Sequence, residues 1–258
     1  MDQVREKPWL AHYDPGVPPE IQVPDIPLWR FLEESARRFP QNVALEFLGK
    51  TLSYQELWGL ARRFAQGLKD LGVRPGDRVA IMLPNSPQFV IAFYGTLLAG
   101  GVGVNVNPLY TPRELRHQLA DAGAETLVIL DHLLPRYLEV EKEVPVKRVV
   151  VTGIKDFLPF PKNLLYPLKA KRDGLPLGFP KREGFHAFAE LLKRPPAEPH
   201  VPDPEDLALL QYTGGTTGLA KGAMLTHRNL SANALQVRAW IPDFREGEEV
   251  VLGAIPFF

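Results

Sequence analysis

Chemistry-bearing residues concentrate in one stretch, Tyr212-Thr213-Gly214-Gly215-Thr216-Thr217-Gly218-Leu219-Ala220-Lys221-Gly222. Glycines let a backbone turn tightly and approach a ligand. Consecutive N–H groups in such a turn make a concave anion site. Threonine hydroxyls add donors for phosphate oxygens or a lone pair for a metal ion. Lys221 adds a mobile point charge. A loop of this make-up suits a polyphosphate. The apolar run Leu207-Ala208-Leu209-Leu210 before it reads as a buried strand. The alternative is a plain Gly-rich hairpin turn between Tyr212 and Ala223.

Two familiar nucleotide loops do not fit. The pattern G-x-x-x-x-G-K-[ST] needs glycine before the lysine and Ser or Thr after it, but Ala220 and Gly222 flank Lys221. The stretch is not G-x-G-x-x-G either.

Composition narrows the class further. The chain has 258 residues, 45% of them hydrophobic, with 30 basic and 30 acidic side chains balancing to zero. No basic excess marks a nucleic-acid partner. There are no cysteines, which excludes disulfides, thiolate metal sites and a cysteine nucleophile. The charged N-terminus, Met1 to Lys7, is not a secretory signal. Phe89 to Val104 is strongly apolar but shorter than the roughly 20 residues a bilayer crossing needs. It reads as a buried helix broken at Gly100-Gly101, then a buried strand.

The elements that must position the loop follow from periodicity and caps. Leu28, Phe31, Leu32, Ala36 and Phe39 fall at helical spacing, and Val43, Leu45 and Phe47 alternate as a strand. Ser53-Tyr54-Gln55-Glu56 and Thr111-Pro112-Arg113-Glu114 are capping boxes. Ser86-Pro87 opens another helix. Strands are expected at 78–83, 102–105, 127–130 and 149–151, and a helix at 132–143. Beyond the loop come a return strand at 223–225, a helix from His227 to about Trp240 capped by Thr226, and a strand at 249–255. His227 reads as a first-turn residue, not a base. Tyr212 and Trp240 read as packing residues. Continuous apolar strands alternating with helices predict an α/β fold, a mostly parallel sheet covered by helices on both faces.

Four regions are expected: an extended arm at 1–26, an α/β subdomain at 27–152, a Pro-rich connection at 153–204, and the start of a second α/β subdomain at 205–258. Within 153–204 only Phe185 to Lys193 looks helical. Lys162, Lys169, Lys171, Arg172, Lys181 and Arg182 lie there among Phe157, Phe160, Tyr166, Phe179 and Phe185. The segment reads as a surface connection packed by its own aromatics. Contact with an anionic membrane or anionic ligand is the sharper alternative.

The residues from Gln211 to Gly218, then Lys221-Gly222-Ala223-Met224-Leu225-Thr226-His227-Arg228-Asn229-Leu230, resemble the phosphate-binding signature of the adenylate-forming superfamily. Within it they are most similar to bacterial long-chain fatty-acid–CoA ligases. Leu52-Ser53-Tyr54-Gln55-Glu56-Leu57, Leu97-Leu98-Ala99-Gly100-Gly101 and Asn105-Val106-Asn107-Pro108 match upstream elements. Gly214 stands where many members carry serine, and Ala220 where most carry proline.

The resemblance implies ATP-dependent formation of an acyl-adenylate, then thioester formation with CoA. It implies that Thr213, Gly214, Gly215, Thr216, Thr217, Gly218 and Lys221 contact the β- and γ-phosphates, with Lys221 stabilising the phosphate charge. It gives Thr213 a further role toward Mg²⁺. ATP, a fatty acid and CoA are the implied ligands. The implied setting is cytoplasmic, with contact at the inner membrane face and homodimerisation left open. The family's adenine, ribose and CoA contacts and its main catalytic lysine belong to later sequence. The chain is therefore expected to be an N-terminal portion without ligase activity alone. A medium-chain or aryl acid enzyme, or a non-catalytic module, are the other readings.

Overall fold

In the computed structural model, residues 7–213 and 220–258 are described. After one helical turn at Pro8–His12 the chain runs extended to helix α1 (Arg30–Arg38). Strands β1 (Val43–Phe47) and β2 (Lys50–Ser53) form a separate antiparallel hairpin. Helix α2 (Tyr54–Asp70) starts at Ser53, whose hydroxyl accepts from the Glu56 N–H while the Glu56 carboxylate accepts from the Ser53 N–H. These reciprocal bonds satisfy donors that every helix start leaves unpaired.

Strand β3 (Arg78–Met82), helix α3 (Pro87–Ala99), strand β4 (Val102–Asn105), helix α4 (Pro112–Ala122) and strand β5 (Thr126–Leu130) then alternate. The short helix α5 (Leu134–Leu138), strand β6 (Arg148–Thr152), helix α6 (Lys162–Arg172), strand β7 (Phe185–Ala187) and the single turn α7 (Phe188–Leu191) complete the first run. Strands β8 (Leu207–Thr213) and β9 (Lys221–Thr226) and helix α8 (His227–Ala239) follow.

Seven strands make one sheet in the order β7-β6-β5-β3-β4-β8-β9. All neighbours are parallel except β8 and β9. The chain steps from β3 to β4 on one side, then returns past β3 to β5. Right-handed crossovers therefore put α3 and α4 on opposite faces. The α/β architecture is the one expected from the sequence.

The core sits where α2 and α3 cover the sheet. Ala61, Phe64, Ala65 and Leu68 of α2 meet Leu97 and Leu98 of α3, all inaccessible to water. Phe64 also packs on Phe188 of α7, ring centroids 4.6 Å apart. Each such large side chain contributes roughly 1.5–3 kcal/mol through burial. The uncharged run Phe89–Val104 is α3 followed by β4. Helix α3 is apolar on most sides because α2 lies over it, and Gly100 (φ 87°) ends it in the left-handed conformation.

Several expectations change. The helix expected at 132–143 is α5 flanked by 3-10 turns at Asp131–Leu133 and Glu141–Glu143, with Pro135 in the first turn of α5, where its missing N–H costs no helix bond. The segment expected to be helical from Phe185 begins instead as β7, paired to β6 with Val149 opposite Phe185. Lys162–Arg172, expected to be irregular, is α6 despite an internal Pro167. The strand expected at 249–255 is extended chain that pairs with no strand among the described residues, and Val250, Val251 and Leu252 stand in water. Strand β8 pairs parallel to β4 in the seven-stranded sheet, with Val104 opposite Leu210.

Candidate functional site

Strands β8 and β9 are the two stems of the Gly-Thr loop. They pair antiparallel from Leu207–Thr226 to Thr213–Lys221, so Thr213 and Lys221 are direct cross-strand partners at the loop's mouth. Both are exposed. The loop residues Gly214, Gly215, Thr216, Thr217 and Gly218 lie outside the described residues. β8 runs parallel to β4, which carries this mouth to the carboxyl ends of the central strands. Open α/β sheets bind ligands at that edge.

Helix α4 grips both stems. The Tyr212 hydroxyl donates to Asp121 Oδ2 at 2.6 Å. His117 Nε2 lies 3.2 Å from the Ala220 carbonyl oxygen, so that nitrogen carries the proton and donates. Burial, followed by the hydrogen bond and charge of Asp121, pushes the Tyr212 hydroxyl pKa up, which keeps it a donor.

Gly222 sits opposite Tyr212. A Cβ there would be 3.0 Å from the tyrosine ring. Gly222 therefore provides the space in which Tyr212 covers the strand, a use different from loop flexibility. Tyr212 is the packing residue the sequence suggested, with a polar anchor added. Trp240 likewise packs, its ring 4.8 Å from that of Tyr13.

Behind the mouth is a buried polar ladder. Asn105, at the end of β4, donates through Nδ2 to Gln211 Oε1 and to the Phe257 carbonyl oxygen, both at 2.9 Å. Gln118 of α4 donates to the Asn105 carbonyl oxygen at 2.7 Å. Asn105 Oδ1 and Gln118 Oε1 are buried without a protein partner among the described residues. Buried polar groups are nearly always bonded, so these two acceptors mark polar ground beside the loop. Motif reading included Asn105 only as part of Asn105-Val106-Asn107-Pro108 and did not single out Gln118. A signal existed for Gln118, which falls on the apolar stripe Leu115, Leu119 and Ala122.

His227 is fixed by its cap. Thr226 Oγ1 accepts from the Asn229 N–H at 3.1 Å, and Asn229 Oδ1 accepts from the Thr226 N–H at 3.0 Å. The ring is 2% exposed, and its Nδ1 accepts from the Leu28 N–H at 3.1 Å. Burial lowers its pKa to about 4. A neutral imidazole held as a structural acceptor agrees with its reading as a first-turn residue.

Among the described residues no cluster of three or more His, Cys, Asp or Glu is placed to hold a metal ion. None of their helices is long and apolar enough to cross a membrane.

Comparison with known proteins places this geometry in a family. A model described as AMP-binding enzyme matches residues 32–258, and the chain belongs to that family. It is 45% identical to a long-chain-fatty-acid–CoA ligase of Bacillus subtilis and 40% identical to one of Escherichia coli O157:H7. Each match takes in 98% of this chain and 46% of the relative. The crystal structure of a long-chain-fatty-acid-CoA ligase from Archaeoglobus fulgidus superposes with a TM-score of 0.71 at 30% identity. That match covers 88% of this chain and 42% of the other. The chain thus spans about half the length of the curated relatives it matches.

Proposed function

We propose that this chain supplies the polyphosphate-binding part of an AMP-forming long-chain fatty-acid–CoA ligase. One observation carries the reading. Thr213 and Lys221 face each other across β8 and β9 at the carboxyl edge of the sheet, and the intervening loop has the composition of an anion cradle. In this reading Thr213, Gly214, Gly215, Thr216, Thr217, Gly218 and Lys221 hold the β- and γ-phosphates of ATP. A fatty-acid carboxylate attacks the α-phosphorus, the bond to the bridging oxygen breaks, and pyrophosphate leaves. CoA thiol then displaces AMP from the acyl carbon.

The protein's contribution to the first step is position and charge. Lys221 offsets negative charge that grows on the departing pyrophosphate. Backbone N–H groups of the loop do the same without reorganising. The clamp from α4 holds both stems, so the loop's ends are placed before ATP arrives. The exposed Thr213 hydroxyl would be the chain's donor to Mg²⁺ beside the phosphates, since this ion needs few protein donors. When bound it would neutralise phosphate charge.

The test is pyrophosphate release by a protein that joins this chain to the rest of the relatives' length, with acids of graded chain length. Long-chain acids should give the highest kcat/KM. A preference for medium-chain or aryl acids would keep the adenylating chemistry and reject the substrate assignment. No release with any acid would reject both.

A further inference from the structure

Helix α6 has one face docked and one face bare. Asn163, Tyr166, Pro167 and Ala170 point toward the protein, on the turn Ile154–Phe157. The opposite face carries Leu164, Leu165 and Leu168, exposed by 64%, 57% and 69%, and Phe160 just before the helix is 78% exposed. At 100° per residue the three leucines form one outward stripe. Lys171 borders that stripe on one side and Lys169 on the other; Lys162, also on that side, donates from Nζ to the Leu48 carbonyl oxygen at 2.8 Å.

Charge follows the same pattern. Residues 160–182 contain six basic side chains and one acidic one, in a chain whose net charge is zero. The single acid, Asp173, pairs with its neighbour Arg172 at 3.4 Å. The nearby Asp156 is engaged locally, its carboxylate accepting from Thr152 Oγ1 and the Gly153 N–H. Arg182 pairs with Glu141, and Lys169 and Lys171 stand exposed beside the leucine stripe.

We propose that α6 is an interfacial helix that lies on an anionic lipid surface, with Phe160, Leu164, Leu165 and Leu168 inserted and Lys169 and Lys171 at the headgroups. A helix in a membrane interface needs an apolar stripe flanked by cations with its axis in the membrane plane. Lysines snorkel around such a stripe, and each basic group near an anionic surface adds to binding. A protein groove would accept the leucines, but the flanking cations favour a planar anionic partner. The stripe is too short for deep insertion, so binding should depend on both parts. This inference does not rest on the proposed ligase activity.

The experiment is co-sedimentation of this chain with neutral phosphatidylcholine vesicles and with vesicles containing roughly one third phosphatidylglycerol. Partitioning should be at least about tenfold stronger on the anionic vesicles. Replacing Leu164, Leu165 and Leu168 together by Asn should abolish it with an unchanged melting curve, since all three side chains are already in water. Lys169→Glu with Lys171→Glu should weaken it several-fold and flatten its loss with salt, because fewer cations are left for salt to screen. The absence of native cysteine allows a site-specific second readout. An environment-sensitive dye on Leu165→Cys should shift to the blue on anionic vesicles, and the same dye on Val237→Cys, an exposed position of α8, should not. Equal binding to both vesicle types, or binding that survives the triple substitution, overturns the proposal. So does lipid-free self-association that the triple substitution removes, which would make the stripe a contact between copies.

Discussion

Thr213 and Lys221 are cross-strand partners, the last pair of the β8–β9 ladder before the loop. Facing Cβ atoms in an antiparallel pair lie about 4.5–5.5 Å apart, so a hydroxyl and an ammonium project from one point. The residue on the inner side of each, Tyr212 and Gly222, forms the next pair. The mouth is thus built as two layers: a polar outer pair, and an aromatic ring lying over a glycine.

Lys221→Ala should therefore lower kcat/KM for pyrophosphate release by about 10²-fold in a protein carrying the whole relatives' length. It should leave the melting temperature within about a degree, because an exposed side chain away from such structural features has little effect on stability. Steady-state kinetics with ATP as the varied substrate check both the size and the site. Unchanged kinetics would remove the role proposed for this lysine.

Two glycines of α2 should respond in opposite directions to alanine. A Cβ on Gly67 would be 2.4 Å from Leu191 Cγ and 2.9 Å from its Cα. Gly67→Ala should separate α2 from α7 and destabilise by about 1–3 kcal/mol. A Cβ on Gly59 meets nothing within 4 Å. Gly59→Ala should stabilise by up to about 1 kcal/mol through helix propensity alone. Urea denaturation of the two variants gives the comparison, and a stable Gly67→Ala would mean that α7 moves freely.

What the sequence discloses divides by distance. The caps at Ser53, Thr111 and Thr226 are local, three residues from their partners, and each forms as the spacing predicts. The parallel sheet is legible because buried strands are continuously apolar. The grip of α4 on the loop stems joins residues 91 and 103 positions apart, and no periodicity reports it. Helix α6 was hidden by its prolines, since Pro167 argues against a helix interior, yet contact with the turn at 154–157 holds the segment helical. The stretch 249–255 has strand composition but no neighbouring strand among the described residues, and composition alone cannot supply one.

Tyr212 and Gly222 should be energetically coupled. In the wild-type background Gly222→Ala should cost on the order of 1 kcal/mol, because the new Cβ, 3.0 Å from the ring, must push it and strain its bond to Asp121. With Tyr212→Ala the same substitution should cost at least about 0.5 kcal/mol less. A double-mutant cycle by thermal or urea unfolding measures the difference. Additive effects would mean that the ring does not depend on the glycine for its place.

The strap formed by residues 25–29 should loosen on acidification through His227. Its imidazole is buried, accepts the Leu28 N–H, and has its pKa lowered to about 4 from the ordinary 6.5. Desolvation is the main cause. His200 adds to it and Asp206 opposes it. Below pH 6.5 the unfolded chain takes up a proton that the folded chain refuses. The contribution is complete above pH 6.5, falls as the pH drops toward about 4, and then levels off. Its size is on the order of 2–3 kcal/mol. Carboxylates also titrate in this range, so the wild type alone is not diagnostic. His227→Asn places an amide oxygen where Nδ1 accepted and does not titrate. Urea midpoints measured between about pH 7 and pH 4.5 should fall more steeply for the wild type than for His227→Asn. Parallel slopes would show that the imidazole is not held neutral against Leu28.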